Sequence, residues 1–289
     1  MAFDPWLYIA FAVGFVAGRL APSRSPWVPR ATLVTVVVLV GLLGASLDAV
    51  PWTSLVATVP VAVAFVLVIL GLTTAVYLAL ARLRPAPVSA VPAPGHDERL
   101  PLSLVLLASL LVGLGVGRLV AVPAEAAIPW VLYALLALVG FGIPLRLAGL
   151  RGVWVPLTAA VAGAVAAAAI FAVVDHLALG AALATSLAFG FYSLAGPLVA
   201  ARAGAVLGLL AFLTNFLRED LTMILSPYVG RRLRGEGLAA WGGATSMDTT
   251  LYFVTRYGDA EAGSLALASG LVLTIAASLV LPAVLSLPV

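Results

Sequence analysis

The chain has 289 residues, of which 63% are hydrophobic and 9% charged, and its 15 basic residues, all arginine, exceed its 12 acids to leave a net charge of +3. Soluble chains carry roughly a quarter charged residues, so water is excluded as the main solvent. Without a basic cluster interleaved with stacking aromatics, nucleic acid is excluded as a partner. The absence of cysteine excludes disulfides, thiolate metal sites and a cysteine nucleophile.

Apolar blocks of about 20 residues, the length of a helix across some 30 Å of hydrocarbon, recur from the start of the chain. Asp4 precedes the first and no basic segment leads it, so it reads as a span and not as a signal peptide. Spans are predicted near Leu7–Leu20, Leu33–Leu47, Leu55–Leu80, Leu102–Val120, Ile128–Leu147 and Val153–Val174. Leu177–Ala201 is apolar but interrupted by Gly190, Tyr192, Ser193, Gly196 and Pro197. A span near Ala203–Val229, a mixed stretch Leu238–Tyr257 and a last span Ala262–Leu285 follow. The proline-rich stretch Arg84–Pro101 divides the chain into N-terminal helices (1–84), a cytoplasmic linker (85–101) and a C-terminal transport region (102–289).

Cytoplasmic loops carry the basic excess. Arg19, Arg24 and Arg30 follow the first span, Arg82, Arg84 and Arg99 the third, and Arg146 and Arg151 the fifth. Opposite loops hold Asp48, Arg118 with Glu125, or Asp175 with His176. Arg231, Arg232 and Arg234 join the cytoplasmic set only if Leu177–Ala201 enters and leaves by one face. The expected fold is therefore an all-α polytopic membrane protein with about eight transmembrane helices, two re-entrant or broken segments and both termini outside. Irregular backbone at membrane depth is tolerated only where protein buries it or it lines a wet cavity, so the two segments point to a solute path.

An internal repeat accompanies this count. Val13–Leu20 aligns with Val112–Leu119 at an offset of 99, as Gly14 with Gly113, and Val40-Gly41 aligns with Val139-Gly140 at the same offset. Three spans separate the copies, which gives them opposite directions, as in inverted-repeat transporters. Chance similarity between glycine-rich helices gives the same match.

The densest polar cluster, Thr214 to Thr222, lies inside an apolar span. Each charge near the bilayer centre costs about 2.5–3.5 kcal/mol, so its charges need partners or water. At 100° per residue Asn215, Glu219, Thr222 and Ser226 share one stripe with Arg218 beside it, and Asp220 points away. The bland alternative is a helix end among headgroups. In the second cluster, Gly242 to Thr250, the paired glycines let backbones approach closely, and Thr245, Ser246, Asp248 and Thr250 supply acceptors that replace a cation's hydration shell; a helix cap in a loop is the alternative. Tyr192 and Ser193, in Phe191–Pro197, have the break chemistry of a re-entrant turn. Asp48 closes the second span, interfacial or binding. The two histidines, His96 and His176, lack metal-ligand spacing.

Tyr192–Pro197, Ala211–Glu219 and Gly242–Leu251, in that order and spacing, closely resemble the prokaryotic lysine exporter family LysO. The strong motifs cover about the last third; the remainder resembles the family through its span count, its glycine-rich first helices and Asp48. The resemblance implies export of L-lysine and its analogue thialysine across the cytoplasmic membrane in exchange for protons, with functional acids at Asp48 and Glu219. One departure is Tyr252, where the family pattern has proline.

An intramembrane hydrolase is the competing enzyme reading, but Tyr257-Gly258-Asp259 is only half of an aspartyl-protease signature and no serine is set beside a histidine. A passive channel, or a transporter of another small cation or amino acid, is the other alternative; a homo-oligomer stays open, and no metal or cofactor is expected. The expected mechanism is alternating access. Glu219, Asn215 and the Thr245–Thr250 segment hold a cationic amino acid whose carboxylate meets Arg218 or the N-terminus of a half-helix. A carboxylate in a desolvated site holds a proton or a cation but not both, which is the simplest exchange device.

Overall fold

A computed structural model describes residues 5–20, 27–83, 102–142, 152–247, 249–258 and 262–287. The expected linker at 85–101, Asp248 and His96 lie outside the described residues. Every apolar block forms a helix: α1 (Pro5–Leu20), α2 (Val28–Ala45), α3 (Trp52–Ala81), α4 (Leu102–Leu119), α5 (Ala124–Gly142) and α6 (Trp154–Val174). Two short helices follow, α7 (Leu179–Ser186) and α8 (Tyr192–Ala203), then α9 (Ala205–Gly242), a 3-10 turn at Gly243–Met247, α10 (Leu251–Tyr257) and α11 (Ala262–Val284). The second helix starts five residues before the predicted Leu33 because a proline occupies its first turn, where a missing N–H costs nothing. Helices α3, α6 and α11 are long and apolar enough to cross a membrane, and Pro5–Leu20, Arg30–Ala45, Leu104–Leu119 and Ala126–Phe141 are shorter apolar helices.

Close contacts set the directions. Gly14 lies against Ala137 and Gly18 against Phe141, so α1 and α5 advance together; Gly113 lies against Gly41 and Gly117 against Ala45, so α2 and α4 are also parallel. Phe65 stacks on Phe171 at 3.9 Å while Thr73 meets Gly163, so α3 and α6 run oppositely. These contacts repeat. Gly140 meets Phe11 and Phe15, and Gly44 meets Leu110 and Leu114. The α1·α5 pair is thus the counterpart of the α4·α2 pair, with α1 matched to α4 at an offset of 99 (14 to 113) and α2 to α5 at 96 (41 to 137). The repeat is real in the packing, and the offset read for the second helix is corrected by three residues. Glycine identity alone paired Gly41 with Gly140, whereas the interlocking surfaces pair Gly44 with Gly140.

The chain after α6 folds into two helical hairpins. At Arg234 (φ 53°, ψ −171°) α9 breaks and reverses, so that residues 235–242 return alongside 205–233: Gly237 packs on Leu233 and Tyr77, and Gly235 approaches Gly258. Tyr77 is near the end of α3, so the reversal lies on the face where α3 ends and the linker begins. Tyr8 near the start of α1 donates to the carbonyl of Leu279 near the end of α11 (3.0 Å), which puts those two ends together on the other face. There α6 ends, α7 starts, α8 ends and Gly204 (φ 96°) turns the chain into α9, with Gly196 and Gly208 locking α8 against it. The α7–α8 hairpin therefore enters and leaves by the face opposite the linker, and the hairpin of 235–242 with α10 enters and leaves by the linker face. Arg19, Arg30, Arg82, Arg231, Arg232, Arg234 and Arg256 end on the linker face; Arg118 and Arg202 end on the other.

Packing groups the helices across the linker. Helices α1, α2, α4 and α5 pack on one another, α3 and α6 pack with α9 and the hairpins, and α8 is the main bridge, touching both α2 and α5.

Candidate functional site

The tips of the two hairpins meet half-way along the stretch 205–233. Phe189 (φ 52°) and Gly190 (φ 91°) form one tip and Gly243 (φ 62°) the other; the N–H of Ala244 donates to the carbonyl of Phe189 at 2.7 Å. A side chain at Gly243 would collide with that carbonyl and would need a backbone conformation that L-residues avoid.

The polar stripe of α9 stands beside this crossing. Thr214, Asn215, Arg218, Glu219, Thr222 and Ser226 are all at most 1% exposed, so the alternative of a helix end among headgroups is set aside. Asp220, one residue on, is only half-buried. The stripe divides into two tasks. Asn215 holds the first tip: its Oδ1 accepts from Gly190 N–H (2.8 Å) and its Nδ2 donates to the carbonyls of Thr185 (2.7 Å) and Ala211 (2.9 Å), which uses both of its donors. Arg218 holds the second: Nε donates to the Trp241 carbonyl (2.8 Å) and Nη2 to that of Ala240 (2.9 Å). These carbonyls end the helical stretch 235–242, so a cation sits at the negative end of its dipole. Thr222 and Ser226 donate to carbonyls one turn back in their own helix. Ser246 ties the second tip to α11 through the Ala266 carbonyl (2.9 Å), and Trp241 Nε1 ties it to Thr74 on α3 (2.9 Å).

Glu219 has a different place. A cavity of about 400 Å³ ends at the tips, lined there by Gly190, Phe191, Tyr192, Ser193, Ala244, Thr245, Met247, Thr249 and Glu219. Its other walls are Val28, Thr32, Leu33 and Val36 of α2, Leu106 of α4, Leu135, Leu138 and Val139 of α5, and Leu271 and Thr274 of α11. On α2, α4 and α5 these belong to the halves next to the linker face, so the cavity runs from the tips toward that face. Among the described residues that line it, Glu219 is the only charged one. Thr32 and Thr274 donate to their own helices (2.9 Å each) and leave their lone pairs for a guest. The chamber is an aliphatic sleeve with one acid and several hydroxyls at its inner end, of the size of small-ligand sites, roughly 300–1,000 Å³.

The structure thus brings Tyr192, Ser193, Glu219 and Thr245 together around one space. Tyr192 packs edge-on against Phe212 and Phe216. Thr250 is buried behind Thr245, hydroxyl to hydroxyl at 3.4 Å. Asn215, Arg218, Thr222 and Ser246 stand outside the chamber as its supports. Asp48 is in neither group: it is exposed in the turn after α2, on the face opposite the linker, where Arg118 donates to the Val50 carbonyl and lies over Trp52. Thr32 and Thr274 were not anticipated, because a lone hydroxyl in an apolar helix looks the same whether or not a cavity adjoins it, whereas Thr249 falls inside the expected Thr245–Thr250 segment. Tyr252 takes the second position of α10, where proline would also fit, so this departure leaves the helix intact.

A bundle of apolar helices with two interrupted hairpins meeting around a buried acid is the architecture of a polytopic membrane protein. The chain belongs to the lysine exporter LysO family, whose sequence pattern matches residues 107–285. It is 37% identical over 99 residues to the lysine exporter LysO of Escherichia coli, a match covering 34% of this chain and 33% of the relative. It is 31% identical over 107 residues to a Haemophilus influenzae protein named "Putative lysine exporter", covering 37% and 54%. The matched stretches thus span between a third and about half of these relatives. No solved structure matches the chain significantly.

Proposed function

We propose that the chain exports L-lysine, and with it thialysine, across the cytoplasmic membrane in exchange for protons, by alternating access. The observation that carries this reading is Glu219, 1% exposed and yet at the inner end of a chamber that reaches one face of the bundle. Helices α1 to α6, the stretch 205–233 and α11 are assigned as eight crossings, with the linker face cytoplasmic because it collects most of the arginines. The chamber is then the loading side. Lysine enters with its α-ammonium toward the Glu219 carboxylate and the hydroxyls of Ser193, Thr245 and Thr274, and its side-chain methylenes lie along the sleeve. Its carboxylate is assigned to the N-terminus of α8, which opens at Tyr192; Arg218, already committed to two backbone carbonyls, is reassigned as an anchor. Loading the cation displaces the proton from Glu219 to the cytoplasm, and a proton taken up on the outer side displaces the lysine there, so that one acid carries two cargoes in opposite directions. Asp48, exposed on the outer face, is proposed to attract protons and departing cations at that mouth.

The test is lysine transport in proteoliposomes under imposed pH gradients. Lysine should accumulate against its own gradient in the more acidic compartment, from which protons flow out in exchange; flux indifferent to pH would mean a channel or uniporter. The topology has its own check, since the chain has no native cysteine. A cysteine placed at Arg232 should react with an impermeant thiol reagent only in inverted vesicles, and reaction only from the outside would reverse the orientation.

A further inference from the structure

The chamber occupies only one half of the bundle, and the inverted repeat identifies its missing counterpart. The match of α1 with α4 at 99 residues and of α2 with α5 at 96 rests on contacts that recur in both copies. Carrying the chamber walls through it sends Thr32 to Ile128, Val36 to Leu132, Leu106 to Leu7, Leu135 to Leu39 and Val139 to Leu43. Each of these partners is at most 2% exposed. The remaining walls Val28, Leu33 and Leu138 map to Ala124, which is buried, and to Pro129 and Leu42, which are half-buried, and none of the partners lines the chamber. They lie in the halves of α1, α2 and α5 next to the opposite face, where α8 packs on α2 and α5 and the Leu43 side chain sits against Gly196. The same surfaces are thus parted on one side of the tips and closed on the other. Because the two copies share their interlocking contacts, exchanging their roles creates no new type of packing.

We infer that Leu7, Leu39, Leu43, Ile128 and Leu132 line a second vestibule, closed here, that opens on the face opposite the linker and releases a cargo with a cationic head and an aliphatic stem. This inference rests on the proposed transport function and adds the exit half of the path to it. The vestibule is aliphatic like the loading chamber, so the stem of the cargo meets equivalent surfaces on both sides while Glu219, between them, keeps the only charge contact among the described walls. No acid is needed within the vestibule itself.

Single cysteines at Ile128 and Leu132, and at Thr32 and Val36 for the loading side, test it, with Leu39→Cys in reserve should either exit variant fail to reach the membrane. Each is reacted with an impermeant thiol reagent applied from each face, first at symmetric pH and then with an imposed pH gradient, with and without lysine. The expected result is reciprocal: conditions that drive turnover raise labelling of Ile128→Cys and Leu132→Cys from the face opposite the linker at least about fivefold, and lower that of Thr32→Cys and Val36→Cys. Exit variants that transport lysine normally yet react no faster would overturn the inference, as would simultaneous reaction from both faces under all conditions. If the unmodified protein moves no lysine, the functional reading fails by itself, and reciprocal labelling driven by the pH gradient alone still decides whether the vestibule exists.

Discussion

Replacing Glu219 by glutamine should abolish lysine transport while the protein reaches the membrane in normal amount. Glutamine keeps the shape and a hydrogen-bonding end, so the tips stay crossed; what is lost is the charge. Removing one partner of a buried, hydrogen-bonded charge pair costs about 2–5 kcal/mol, which is a weakening of lysine binding by roughly 30-fold or more. An amide also does not titrate near neutral pH and so cannot carry a proton across, and the gradient loses its grip on whatever flux remains. Glu219→Asp should restore part of both. Asp220→Asn, half-buried and away from the chamber, should behave nearly as wild type, and Asp48→Asn should slow transport without ending it because Asp48 stands in water on the far face. The measurement is uptake into proteoliposomes with quantified protein. Full activity in Glu219→Gln, or a larger defect in Asp220→Asn, would remove the acid from the centre of the mechanism.

The second large effect is on stability. Arg218→Met removes a fully buried cation with two bonds to carbonyls at the end of a helical stretch. Hydrogen bonds to a charged group contribute about 1.5–3 kcal/mol each, and the carbonyls of Ala240 and Trp241 are left without those donors. In a chain of this size each kcal/mol corresponds to about 2–4 °C in melting temperature, so a fall on the order of 10 °C is expected in detergent. Arg218→Lys should recover less than half of it, because a point charge cannot reach two successive carbonyls as the guanidinium fork does. An unchanged melting temperature with a raised KM for lysine would return Arg218 to the role of carboxylate ligand. Loss of the second tip by itself would also disturb Glu219, so the discriminating readout is the stability of the lysine-free protein.

How much was legible before the helices were packed depends on the range of the physics involved. Solvation is a local property of composition, so the membrane class, the existence of each helix with most boundaries to within a few residues, and the two interrupted segments could be read along the chain. The stripe on α9 was legible for the same reason: helical geometry alone brings Asn215, Glu219 and Thr222 to one side and turns Asp220 away. The repeat was half legible, since Gly14 and Gly113 show the close approach that both require, but three residues of register in the second helix depend on which surfaces interlock. The division of labour within the stripe was not legible. Asn215, Arg218 and Glu219 are equally polar and equally buried, and only the positions of Gly190, Ala240 and Trp241 decide that the first two hold backbone while the third faces a cavity. Likewise nothing local distinguishes Thr32, beside open space, from the many hydroxyls that merely bond their own helix. By itself, then, the sequence determined solvent, helices, breaks and the residues able to carry charge, because these follow from side-chain chemistry and helical period. The tertiary structure decided which of them meet, since a tip contact between residues 189 and 244 exists only once two hairpins from opposite faces are folded against one helix.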